Sequence, residues 1–128
     1  MAFDPHPLVE RARVAALKAY APYSGYSVGC AVESGDGEVV VGANMENACY
    51  RLGICAELSA LTAARQAFGL DKVARIAVTG GHVAAGALKG QGVVTPCGGC
   101  RQSLLEAAHL ARVHLEGIVA KCQGSEVE

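Results

Sequence analysis

Positive charge is in no excess in this chain: 11 Lys and Arg stand against 12 Asp and Glu, for a formal net charge of -1. Without a basic surplus there is no electrostatic footprint for a nucleic acid polymer, so the expected substrate is a small molecule. Charged residues of both signs make up only 18% of the 128 residues, and 52% are hydrophobic. That balance excludes intrinsic disorder and fits one domain, residues 1-128, with a core of its own. No apolar run approaches the roughly 20 residues that cross a bilayer, so no membrane association is expected. The opening Met1-Ala2-Phe3-Asp4-Pro5-His6-Pro7 has no basic stretch followed by an apolar one, which leads to the expectation of a cytoplasmic protein. The glycines between Gly80 and Gly92 contain neither the Gly-Lys-Ser/Thr of a phosphate loop nor a dinucleotide fingerprint. They read as a flexible connection, and no nucleotide cofactor is expected. His6, His82, His109 and His114 have no neighbours at metal-ligand spacing, so surface or half-buried positions are expected for them.

Against these absences stand six cysteines. With no export signal they are read as reduced thiols rather than a disulfide framework. Cys30, Cys49 and Cys122 are taken as small buried apolar residues. The other three carry chemistry. Cys97 and Cys100, in Pro96-Cys97-Gly98-Gly99-Cys100, are by themselves compatible with a zinc ribbon, a redox pair or a metal-transfer site. A thioredoxin-type surround is absent. Cys55-Ala56-Glu57, about forty residues earlier, resolves the ambiguity. Three thiols fall one ligand short of a closed cage, and a catalytic zinc keeps that position for water. A carboxylate two residues from the first thiol stands beside the gap. A first ligand followed by x-Glu, then Pro-Cys-x-x-Cys, is the signature of the zinc-dependent nucleobase deaminases.

Elements of both kinds alternate along the chain. Pro7 to Tyr20 has helical apolar spacing, with Pro22 forbidding much continuation. Ser27 to Glu33 and Glu38 to Ala43 read as a hairpin around Asp36-Gly37. Ile54 to Phe68 reads as a helix opened by Cys55 and stopped by Gly69, and Val73 to Thr79 as a buried strand. Val93 to Thr95 leads into a helix over Cys97 to His109, and Val113 to Val119 is the last strand. The thiols thus fall at the N-terminal ends of two helices, where the dipole and unpaired N–H groups favour thiolates.

Three blocks in order carry a resemblance: Pro22-Tyr23-Ser24-Gly25-Tyr26-Ser27-Val28-Gly29, then Asn44-Met45-Glu46-Asn47-Ala48-Cys49-Tyr50 leading to Cys55-Ala56-Glu57, then Pro96-Cys97-Gly98-Gly99-Cys100-Arg101-Gln102. From about Ala21 to Leu105 the chain resembles the small, homotetrameric cytidine deaminases. The resemblance implies a three-layer α/β/α fold with a central mixed sheet of about five strands flanked by helices. It implies one Zn²⁺ per chain on Cys55, Cys97 and Cys100, with Glu57 carrying protons and a homotetramer acting on a free nucleoside in pyrimidine salvage. Asn44 and Glu46 would hold the ribose hydroxyl, Ala56 would line the substrate, and Tyr26 takes the place of a base-stacking Phe.

Residue chemistry agrees with those roles. Deamination at C4 needs a hydroxide nucleophile at neutral pH, a proton for ring N3 and a proton for departing ammonia, and one mobile carboxyl can serve all three. An amide beside a carboxylate satisfies the donors and acceptors of a ribose diol. Each residue also has a plainer reading: Glu57 as a first-turn acid, Asn44 and Glu46 as a polar turn, Tyr26 as a core aromatic, and Arg101 either neutralising the thiolates or pairing outward.

Two departures from the family pattern stand out. Leu58 occupies the place of an Arg that hydrogen-bonds the thiolates, which resembles blasticidin S deaminase and makes a modified cytosine nucleoside the alternative substrate. The end, Gln123-Gly124-Ser125-Glu126-Val127-Glu128, differs from the family's Leu-Leu-Pro-x-x-Phe tail, so a different substrate lid is expected. A non-catalytic zinc-binding interaction module is the rival from another class. It requires a fourth protein ligand, and no further Cys or His lies at convincing spacing.

Overall fold

Leu8, Val9, Ala12, Ala15 and Ala16 recur at helical spacing and are all buried, which makes α1 (His6–Ala16) an amphipathic helix laid on a sheet. The structure, a computed structural model, describes residues 6–84, 87–89, 106 and 116–119. The first helix ends at Ala16, short of the expected Tyr20. Leu17, Lys18 and Ala19 donate to Val14, Ala15 and Ala16 in tightened turns, and Tyr20 N instead donates to Asn44 O at 3.0 Å. Tertiary pairing of Tyr20 alongside Met45 pulls it out of the helix.

The hairpin is as expected to within a residue. β1 (Tyr26–Ser34) and β2 (Val39–Ala43) pair antiparallel from Gly29 opposite Ala43 to Glu33 opposite Val39. α2 (Ala56–Ala67) follows, then β3 (Val73–Ala84), β4 (Ala87–Lys89) and β5 (Glu116–Val119). β3 runs past the expected end at Thr79. Gly80 and Gly81, read from the sequence as part of a flexible connection, are ladder residues opposite Val28 and Ser27. β5 lies within the expected Val113–Val119 strand and pairs parallel with β3 over Arg75–Val78. Glu106 is helical and exposed, within the expected Cys97–His109 helix, and the rest of that segment lies outside the described residues, as does Cys122.

The five strands form one mixed sheet in the order β2-β1-β3-β4, with β5 also on β3. Alternate residues of β1 and β3 face opposite layers. Cys30, Val32, Ile76 and Val78 pack with Ala56, Ala60, Leu61 and Ala64 of α2, whereas Ala31 and Ala77 pack with Leu8, Val9 and Ala12 of α1. The strand period of two therefore places a helix on each face, giving the expected three layers. Among the described residues no helix is long and apolar enough to cross a membrane.

Gly42 sets the distance between sheet and site. A methyl group on it would overlap Ala60 N and stand 2.9 Å from Ala56 O in α2. Those are main-chain atoms of the helix that carries Glu57, so nothing soft can yield. Gly42→Ala is expected to lower stability by about 1–3 kcal/mol or more and to reduce activity by lifting α2 from β2. Urea denaturation checks it, and an unchanged midpoint would contradict the close packing.

Candidate active site

Cys55 is the N-cap of α2, with extended backbone angles of φ -74° and ψ 153°, and its side chain makes no capping bond. Its carbonyl accepts the helical bond from Ser59 N at 3.0 Å. The thiol thus leaves the chain at the positive end of the helix. Glu57 lies in the first turn and is only 4% exposed. A first-turn Glu that served the helix dipole alone would stand in solvent. Leu58, by contrast, is 37% exposed. Ala56, between Cys55 and Glu57, is wholly buried and belongs to the α2 core cluster, so any contact with a substrate falls to its main chain.

The second block reaches this helix start through Met45 and Ile54. Each donates its N–H to the other's carbonyl at 2.9 Å, in antiparallel sense. That pairing carries Asn44 toward Cys55 and sets Glu46 against Gly53. Tyr20 runs along the other side of the strip, with Glu46 N donating to Tyr20 O at 2.8 Å.

Asn44 is already committed in part. Its Oδ1 accepts from Val28 N at 2.8 Å and its Nδ2 donates to Tyr26 O at 3.0 Å, so the amide latches the end of β2 to β1. Among the described residues, those bonds leave one amide hydrogen and one lone pair of Asn44 without a side-chain partner. Glu46 is held by the first block. Tyr23 N and Ser24 N donate to Oε1 at 3.0 and 3.1 Å, and Ser24 Oγ donates to Oε2 at 2.5 Å. The same Ser24 hydroxyl accepts from Tyr26 N at 3.0 Å. Gly25 closes the turn at φ +70°, a conformation that side chains disfavour. Two sequence motifs whose bonded residues lie 22 and 23 positions apart are thus one structural unit, because the backbone and hydroxyl of one solvate the carboxylate of the other.

The Ser24 hydroxyl, followed by the Ser24 amide and, beyond an opposing desolvation, the Tyr23 amide, holds the Glu46 carboxyl below its ordinary value of 4.5. With the folded value depressed, the stabilisation is complete above the ordinary value and disappears as pH falls through the folded one. Wild type is therefore expected to melt higher than Glu46→Gln from neutral pH down to about 4.5, with the gap closing in stronger acid. Thermal melts across that range check it, and a gap unchanged by acid would contradict the assignment.

Tyr26 is half-buried at the start of β1, and its ring meets that of His82 edge to face, with centroids 5.2 Å apart and planes at 86°. No local spacing brings His82 here, because the register of β1 on β3 decides it. Cys30 is buried as expected, but Cys49 is exposed. It precedes a short 3-10 turn, Tyr50–Leu52, none of whose residues is buried, so there is no core at that point for it to join. Cys97, Cys100 and Arg101 lie outside the described residues, and among the described residues no three metal-binding side chains converge.

Residues 4–116 match the family described as the cytidine and deoxycytidylate deaminase zinc-binding region. The chain belongs to this family. It is 42% identical over 92 residues to a cytidine deaminase of Mycobacterium tuberculosis, an alignment covering 72% of this chain and 62% of that one. A cytidine deaminase of Halalkalibacterium halodurans is 42% identical over 103 residues, covering 80% of this chain and 71% of the relative. The fold matches the crystal structure of cytidine deaminase from Burkholderia pseudomallei with a TM-score of 0.80 at 39% identity, covering 98% of this chain and 92% of that one. The zinc-binding region named by the family spans Cys55, Glu57, Cys97 and Cys100, and agrees with the expectation of one Zn²⁺ per chain.

Proposed function

We propose that this chain, as a single catalytic domain, hydrolyses cytidine and 2′-deoxycytidine at C4 to the uridine nucleosides and ammonia, with one Zn²⁺ on Cys55, Cys97 and Cys100. The observation that carries this reading is Glu57: a carboxyl 4% exposed, in the first turn of the helix that Cys55 caps. The chemistry of the donor set fits the metal, because three thiols are ligands that zinc favours and Cys55 leaves its helix at the end that favours a thiolate. Zinc held by these three thiolates would supply a water that ionises near neutral pH.

The chain's own residues do the rest. Glu57 takes a proton from water and passes it to N3 of the ring as oxygen adds to C4. It then passes the second proton to the exocyclic amine, the C4–N bond breaks, and ammonia leaves a C4 carbonyl behind. Cytidine and one water have become uridine and ammonia. Glu46, kept ionised by its three donors, and the unspent hydrogen and lone pair of Asn44 hold the ribose hydroxyl. Tyr26 stacks on the base.

Ammonia release from a panel of nucleosides tests the substrate. Cytidine and 2′-deoxycytidine are expected to react and purine nucleosides to be inert. The apolar Leu58 supports a second reading, a modified cytosine nucleoside such as blasticidin S, and turnover of that compound far above cytidine would overturn the first. We also propose a homotetramer. Tyr20, Tyr23, Met45, Tyr50 and Leu52 place exposed apolar side chains on the segments around the site, as surfaces buried between subunits do. Light scattering that reports a monomer at micromolar concentration would contradict it.

A further inference from the structure

We propose that His82 is a positioning residue for the nucleoside site, clamping from β3 the turn that presents both Tyr26 and Glu46. The inference rests on the reading above that these two residues face the substrate.

His82 reaches the turn because β3 does not stop at Thr79. Gly80 and Gly81 continue the ladder opposite Val28 and Ser27, and the next pair is Tyr26 with His82. Residues directly opposite in an antiparallel pair share one face of the sheet, so the two rings meet. The imidazole makes a second contact. Its Nδ1 lies 2.8 Å from Gly25 O, and since a carbonyl only accepts, Nδ1 carries the proton and donates. One side chain therefore holds both the carbonyl of Gly25 and the ring of Tyr26.

What these contacts fix is more than one aromatic. The Gly25 N–H donates back to Ala21 O at 3.0 Å, closing the turn whose Tyr23 and Ser24 amides and Ser24 hydroxyl hold Glu46. The turn is fastened to Glu46 on one side and to His82 on the other. Cys55 and Glu57 are positioned separately, by α2 and by the pairing of Met45 with Ile54. Loosening His82 should thus weaken nucleoside binding, through lost preorganisation, without touching proton transfer.

The test compares wild type, His82→Ala and His82→Asn, reading the dissociation constant of uridine by calorimetry, KM and kcat with cytidine, zinc content and melting temperature. For His82→Ala both the uridine dissociation constant and KM are expected to rise about tenfold, with kcat within about twofold and zinc unchanged. Asn retains a donor near the place of Nδ1 and is expected to recover most of the binding. Wild-type binding in His82→Ala, or loss of kcat and zinc in step with KM, would overturn the proposal. So would an Asn variant as weak as Ala, which would remove the hydrogen bond from the account. Failure of the functional reading looks different: wild type itself would neither bind uridine nor deaminate cytidine, and both readings would fall together.

Discussion

Glu57→Gln is expected to keep its zinc and its fold and to lose at least about 10³-fold in kcat. The amide fills the same volume in the first turn of α2, where the native side chain is 4% exposed, so packing against the sheet is preserved. What is lost is the capacity to take a proton from water and return it, first to N3 and then to the leaving amine. General acid–base transfers are worth about 10²–10⁴-fold apiece, and in the proposed mechanism this one carboxyl performs them in succession. Steady-state kinetics at matched zinc content provide the check. A variant near full activity would remove Glu57 from the mechanism and return it to the role of an ordinary helix-start acid.

Cys55→Ala is expected to abolish ammonia release together with metal binding, to well below one zinc per chain. The Cys55 side chain makes no capping bond, so the effect does not come from a lost helix cap. On the proposed ligand set it comes from the metal, whose binding is coupled to folding and would need all three thiolates. Ala at Cys97 or Cys100 should act in the same way. Cys49→Ala is the control. That thiol is exposed, six positions before Cys55 on the far side of the Tyr50–Leu52 turn, and its removal should leave zinc and rate unchanged. Elemental analysis of the purified variants decides the matter, and full zinc in Cys55→Ala would sink the ligand assignment.

Why some of this could be read from sequence and some could not follows from the range of each interaction. The placement of Cys55 and Glu57 together at a helix start was legible because local geometry alone brings residues two apart into one turn. The hairpin was legible because Asp36-Gly37 states its turn, and Gly37 N closes it on Ser34 O at 3.0 Å. Other features depend on distant partners. Gly80 and Gly81 have weak strand preference of their own and looked like a connection, yet pairing with Val28 and Ser27 overrides it. Tyr20 has helical spacing with α1, yet Asn44 and Glu46, on either side of Met45, claim its main chain. Asn44 and Glu46 were recognised as polar residues suited to a ribose. That Asn44 also latches β1, and that Ser24 and Tyr23 hold Glu46, depends on a turn whose shape no local spacing states. His82 had no signal at all, because only the β1–β3 register sets it against Tyr26. The expected roles of Cys97 and Cys100 fall outside the described residues.

The central claim is hydrolysis at C4, with oxygen from water replacing the amine. Reacting cytidine with the zinc-loaded chain in heavy-oxygen water, and following product mass and ammonia together, tests it most directly. The account predicts uridine that carries solvent oxygen at C4, formed with one ammonia per nucleoside. Cytidine left unchanged, or uridine formed without the solvent's oxygen, would contradict it.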